Sequence, residues 1–143
     1  MDNFIISQSA MGERPDVPFP VPEFYNIVGE EGIRQIISDH YDLLAESSIK
    51  HLFPQSEEGL NRAKKNSADF FVQICGGPAY FIKNRGRPMM LKRHAPIQIS
   101  SEARIVWLEC YQQVLSQLDV PQEILNSFWN YLDTFSKWMV NTK

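Results

Sequence analysis

The sequence predicts an all-α fold, on three observations. Four stripes of apolar residues recur at helical spacing, no segment sustains the period-two alternation of a strand, and breaks rich in glycine or proline separate the stripes. Four of the nine prolines (Pro15, Pro18, Pro20, Pro22) fall within eight positions, so residues 1–22 are expected to form an extended or mobile arm before a domain spanning 23–143. Deleting Met1 to about Pro20 is accordingly expected to leave a folded domain. After Gly29 and two glutamates suited to a helix start, Ile33, Ile36, Ile37, Tyr41 and Leu44 predict the first strong helix. Phe53 to Gly59 reads as a loop. Leu60, Ala63, Ser67, Phe70, Phe71 and Ile74 then share a face, and Gly76, Gly77 and Pro78 stop that helix. The following segment holds Gly86, Pro88 and Pro96 and leaves room for one short helix, around Met89 to His94. Ser100 or Ser101 can cap a third long helix carrying Trp107, Cys110, Tyr111, Val114, Leu115 and Leu118. Pro121 suits the first turn of the last helix, whose stripe is Ile124, Leu125, Phe128, Leu132, Phe135, Trp138 and Met139.

At 143 residues, with 43% hydrophobic and 22% charged, the chain is long enough for one domain with a core and one enclosed ligand. No run approaches the ~18 apolar residues of a membrane span, and no basic-then-apolar leader opens the chain, so a cytoplasmic location is expected. Cys75 and Cys110 lack metal-ligand spacing and are expected to be reduced core residues. The charge is uneven. Residues 70–101 carry five bases (Lys83, Arg85, Arg87, Lys92, Arg93) and no acid, leaving nine bases against seventeen acids elsewhere. A net charge of −3 argues against a nucleic-acid binder, while the local basic segment suits a small anionic ligand.

Three features stand apart from bundle filler: His94 within the irregular basic segment, the interior aromatics Tyr41, Phe53, Phe70, Phe71 and Trp107, and the bases beside the histidine. Taken singly, each has an ordinary reading as a packing or surface histidine, a core aromatic stripe and a solvated face. Together they resemble one family. The run Gly76-Gly77-Pro78, Gly86-Arg87-Pro88-Met89-Met90-Leu91-Lys92-Arg93-His94-Ala95-Pro96, Ile99, Arg104 and Trp107-Leu108-Glu109-Cys110 is similar to the group II truncated haemoglobins. His40-Tyr41 resembles that family's Phe-Tyr pair, and Val28-Gly29 and Met139-Val140-Asn141 match its ends. The resemblance covers about Tyr25 to Asn141, and its most specific element is a histidine thirteen residues before a tryptophan, after a Gly-Gly-Pro stop.

That resemblance implies a shortened globin, a two-over-two helical sandwich around haem b, with His94 as the axial iron ligand. It implies Arg93 first, and then Lys92 and Arg87, against the haem propionates. Phe53, Leu91, Ile99 and Trp107 are implied to contact the cofactor. Tyr41 and Trp107 are implied as distal donors to bound oxygen, with Ala63 an open gate where ordinary globins carry the distal histidine and Ser67 one turn on. The implied partners are oxygen, carbon monoxide and nitric oxide, with neither nucleic acid nor membrane; a homodimer and a reductase are left open. Two buried donors slow oxygen escape, which suits detoxification of nitric oxide or peroxide. The alternative is a globin-like interaction or sensor module without haem, which purified protein that is colourless and takes up no haem would favour.

Overall fold

The computed structural model describes residues 4–143. Its helices are α1 (Pro22–Leu44), α2 (Glu57–Ile74), α3 (Tyr80–Arg85), α4 (Met90–His94), α5 (Ser101–Leu115) and α6 (Gln122–Lys137), with a 3-10 turn at Lys50–Leu52, and there is no strand among the described residues. The pair α1–α2 packs against the pair α5–α6, giving a two-over-two sandwich. No helix among the described residues is long and apolar enough to cross a membrane.

Local chemistry accounts for the boundaries. Pro22 occupies the first turn of α1, where a missing N–H costs nothing, so helix begins seven residues before the glycine that the sequence suggested as its start. Gly29 then breaks α1 at φ 68°, a left-handed value that a side chain resists. The Ser56 and Ser100 hydroxyls accept hydrogen bonds from Gly59 N and Ala103 N, at 3.0 and 3.1 Å, capping α2 and α5. Gly77 allows close approach after α2, because a Cβ there would meet the Tyr25 ring at 2.8 Å and Val72 at 2.7 Å. Pro121 is the N-cap of α6 rather than part of its first turn.

The core is aromatic. Phe24 stacks on Phe128 with centroids 4.5 Å apart, and Phe71 packs edge-on to Tyr111 and Tyr131. Full burial of such side chains contributes about 1.5–3 kcal/mol each. Cys75 and Cys110 are both free and buried. The short helix α3, which the sequence did not suggest, is held on α2 by Ile82 N–H donating to Gln73 Oε1 (2.9 Å) and by Asn84 donating to Asp69 (3.2 Å). Asp69 also pairs with Arg34 from α1 at 2.8 Å. Burial pushes the Asp69 carboxyl up, but Arg34, Lys65 and Asn84 together hold it below its usual range.

The N-terminal arm is extended, as its prolines require, and it docks on α5 and α6. Phe4 is buried against Trp129 with ring centroids 5.3 Å apart, and Trp129 Nε1 donates to Ile5 O at 2.9 Å. Arg104 is the clasp. Its guanidinium donates to Ser7 O (2.7 Å), Ser136 Oγ (2.9 Å), and Asp133 O and Oδ1 (2.7 and 2.8 Å), while Ser7 donates to the same Asp133 carboxylate. Further along, Trp138 Nε1 donates to Pro15 O at 2.7 Å. These contacts tie the arm to the domain, so its removal should lower stability. Deleting residues 1–20 strips the cover from Trp129 and leaves Arg104 Nη1 without the Ser7 carbonyl. It should cost about 3–5 kcal/mol, the scale of losing a buried phenylalanine, read as a lower urea midpoint. A truncated protein with the full-length midpoint would contradict this account.

Candidate functional site

The space between the helix pairs is a cavity of two lobes, about 250 and 330 Å³, both lined by Tyr41, Phe53, Ala63, His94, Trp107 and Phe135. Arg93 and Ser67 line the larger lobe, and Ile99 the smaller. Eight of the eleven residues singled out from the sequence therefore converge on one space. Arg87, Leu91 and Lys92 do not: all three are exposed, and Leu91 and Lys92 face a separate groove with Val17 and Trp138. Their side chains point outward from the five-residue helix that turns His94 inward.

His94 is poised by its surroundings. Its helix starts after Gly86, at φ 80°, and Met89, at φ 42°, so two left-handed residues redirect the chain into α4. The ring nitrogen Nδ1 lies 2.7 Å from Met90 O. A carbonyl only accepts, so Nδ1 carries a proton, and in the neutral ring Nε2 keeps its lone pair. Nε2 has no hydrogen-bond partner among the described residues. Downstream of the histidine, Asn141 stitches the chain: its Nδ2 donates to Ile97 O (2.8 Å) and His94 O (3.3 Å), and its Oδ1 accepts from Ile99 N (2.8 Å).

Arg93 spends most of its donors on backbone. Nε donates to Pro88 O (2.7 Å) and Nη2 to Arg85 O (2.8 Å) and Arg87 O (3.0 Å), with the guanidinium 5.1 Å from the Phe81 ring centre. It thereby ties down the α3–α4 connection, and Nη1 is the part left over. Arg85, which the sequence reading did not single out, lines the larger lobe beside it. Tyr80 is committed elsewhere, its hydroxyl donating to Glu30 Oε1 at 3.0 Å.

On the other side of the cavity, Tyr41 stands edge-on to Phe53, with centroids 5.7 Å apart. Burial pushes the Tyr41 phenol up, and Ser67 is the polar neighbour that partly offsets it. Tyr41 therefore stays protonated, a donor rather than an anion. Trp107 turns its indole into both lobes. The residue missed from sequence is His40. It is 1% exposed, with Nε2 2.9 Å from Trp107 O and its ring stacked on Tyr111 at 3.5 Å between centroids. Burial drives its pKa down to about 3, against the pull of the Trp107 carbonyl. Its place was readable, since position 40 lies on the stripe of Ile33, Ile36, Ile37 and Leu44, all of them buried.

A stability consequence follows with a definite sign. Unfolded, His40 takes up a proton below about pH 6.5, whereas folded it resists protonation down to about 3. Its contribution to stability is thus present above pH 6.5 and is lost as pH falls through that window, at up to about 1.4 kcal/mol per pH unit. His40→Phe should flatten the stability curve between pH 6 and 4 by one proton's worth of slope relative to wild type, measured by urea denaturation. Parallel curves would show that His40 is protonated in the folded chain.

The cavity fits haem by its own chemistry: apolar walls, one unprotonated imidazole nitrogen on one side, and hydroxyl and indole donors on the other. Comparison with known proteins agrees. The profile described as Bacterial-like globin matches residues 23–141. A crystal structure of phosphate-bound Hell's gate globin IV superposes with a TM-score of 0.86 at 38% identity, covering 96% of this chain and 86% of that one. The hemoglobin of the thermophilic phototroph Chloroflexus aurantiacus gives 0.76 at 30% identity, over 82% and 97% of the two chains. The group 2 truncated hemoglobin YjbI of Bacillus subtilis is 28% identical over 82% of this chain and 87% of its own length. The chain belongs to the bacterial-like globin family, with a group 2 truncated hemoglobin among its relatives.

Proposed function

We propose that His94 Nε2 is the axial ligand of a haem b held in this cavity, and that the protein binds oxygen, carbon monoxide and nitric oxide on the side of Tyr41 and Trp107. The observation that carries this reading is the fixed tautomer of His94, bonded through Nδ1 to Met90 O at 2.7 Å and unspent at Nε2, facing the same cavity as the two donors. A bound haem would supply an iron able to take a diatomic gas. The chain's own part is to fix the imidazole plane, to exclude water with Phe53, Ile99 and Phe135, and to aim donors at the gas. Ala63 leaves the entry open, with too short a side chain to block it. Nη1 of Arg93, with Arg85, supplies cations for the propionates. Non-covalent haem b is favoured because neither buried cysteine lines the cavity. The two free thiols also suit a reducing compartment such as the cytoplasm.

Two donors on one gas slow its escape, which favours oxidative detoxification of nitric oxide or peroxide over oxygen delivery. Absorption spectra of the purified protein, ferric, ferrous and with carbon monoxide, test the reading. We expect a five-coordinate ferrous spectrum that becomes six-coordinate with carbon monoxide. Colourless protein that also fails to take up added haem would overturn it in favour of a haem-free interaction or sensor module.

A further inference from the structure

Leu91 and Lys92, set outside the central cavity, line a groove of about 470 Å³ built by three separate parts of the chain. That volume falls in the range of small-molecule sites. The arm contributes Val17, α4 contributes Met90, Leu91 and Lys92, and the end of α6 contributes Phe135, with Trp138 and Met139 just past it. Met89, which precedes α4 at φ 42°, completes the lining. Glycine would take that left-handed backbone without strain, so holding a methionine there costs conformational energy and gains the groove an apolar wall. Three thioether side chains, from Met89, Met90 and Met139, give the adaptable surface that suits a flexible chain better than a rigid ring. Met89 and Leu91 are 51% and 41% exposed, so the groove opens to solvent.

Charge defines the other end of the ligand. Lys92 is the one charged residue lining the groove among the described residues, and it stands exposed in the stretch 70–101, which has five bases and no acid. Arg14 adds a second cation, 5.5 Å from the centre of the Trp138 ring. Its neighbour Glu13 is engaged by Ala10 N at 2.6 Å and by Lys137 at 4.0 Å. An apolar trough with cations at its rim is complementary to an amphiphile with an unbranched tail and a negative head. We propose that this groove binds a single-chain fatty acid, its tail along the methionines and Trp138 and its carboxylate at Lys92. The site lies outside the central cavity and does not rest on the haem reading. Met90, Phe135 and Met139 nevertheless line both spaces, so the tail lies against the back of the wall that carries His94.

The test titrates the haem-loaded full chain, in its diamagnetic carbon monoxide form and with ¹³C at the methionine methyls, with sodium dodecanoate below its micelle-forming concentration. A filled cavity confines the tail to the groove. We expect saturable binding of one dodecanoate per chain, with the methyl signals of Met89, Met90 and Met139 shifting and that of Met11, which does not line the groove, unmoved. Decanoate, two methylenes shorter, should bind roughly 10-fold more weakly. Lys92→Gln should weaken dodecanoate about 2- to 5-fold, the scale of an exposed ion pair, and leave dodecanol unaffected. Leu91→Glu should weaken dodecanoate at least about 10-fold, since it sets a like charge in the trough. Both positions are exposed on a helix that buries no residue, so the fold and the carbon monoxide spectrum should match the wild type. An unmoved Met89 signal, binding that does not saturate, or equal affinities of wild type and Leu91→Glu would overturn the proposal. So would dodecanol bound as tightly as dodecanoate, binding to anionic phospholipid vesicles but not to dodecanoate, or a Met89 signal that moves with protein concentration alone, which means a second copy of the chain. A chain that takes up no haem would defeat the haem reading and leave the Met89 signal, which reports on the groove and not on the cavity, as the test of this site.

Discussion

His94→Ala should lower haem affinity by at least about 100-fold, and added imidazole should restore much of it. The size follows from what is removed: loss of groups that merely orient a metal-bound histidine already costs about 10- to 100-fold, and here the ligand itself goes. The cavity holds no substitute. His40 Nε2 is committed to the Trp107 carbonyl, and its ring is locked by Tyr111. His51 is exposed on the 3-10 turn and lines neither lobe. Alanine also leaves room where the imidazole stood, so free imidazole can occupy the gap. The fold itself should survive, since His94 is only half-buried and α4 contributes no buried residue to the core. Titration of the variant with haemin, with and without imidazole, reads the effect, and an unaltered five-coordinate ferrous spectrum would remove His94 from the iron.

The long helices were legible because burial repeats with the helical period. The α2, α5 and α6 stripes place Phe70, Tyr111 and Phe128 inward from spacing alone, and Ser100 marks its own cap. Helix α3 was not legible: six residues between Pro78 and Gly86 hold too few turns for a period to show. The arm was half legible. Prolines forbid helix, so its extended backbone follows, but docking depends on single anchors such as Phe4 and on Arg104, nearly a hundred residues away in sequence. Only a folded α5–α6 pair brings those together. At the site, His94, Tyr41 and Trp107 came from a resemblance, and the geometry adds why they can act: a tautomer fixed by a backbone carbonyl, which no residue letter encodes. Leu91 and Lys92 show the converse. They lie within three residues of His94, yet both face the groove with Val17 and Trp138 while Arg93 lines the cavity, so adjacency is no guide to a shared cavity.

Tyr41→Phe and Trp107→Phe should each speed oxygen dissociation about 10- to 100-fold, matching the loss of ~1–3 kcal/mol per buried hydrogen bond. Both side chains line both lobes of the cavity, and burial keeps the Tyr41 phenol protonated and able to donate. The variants differ in what else they disturb. Tyr41→Phe removes one oxygen and preserves the edge contact with Phe53 at 5.7 Å. Trp107→Phe also shrinks the ring that meets His40 at 5.2 Å and Tyr111 at 4.9 Å, so part of its effect comes from repacking. Carbon monoxide separates the two contributions. It develops little negative charge when bound, so a lost donor barely changes its dissociation, whereas a reshaped pocket alters both gases. Tyr41→Phe should therefore act on oxygen almost alone, and Trp107→Phe on oxygen more than on carbon monoxide. Because both donors address one acceptor, the double variant should depart from the sum of the singles, with Ser67 beside Tyr41 as the replacement donor. Oxygen off-rates at the wild-type value in both single variants would return Tyr41 and Trp107 to the core, and the stabilisation of bound oxygen would have to come from another group in the larger lobe.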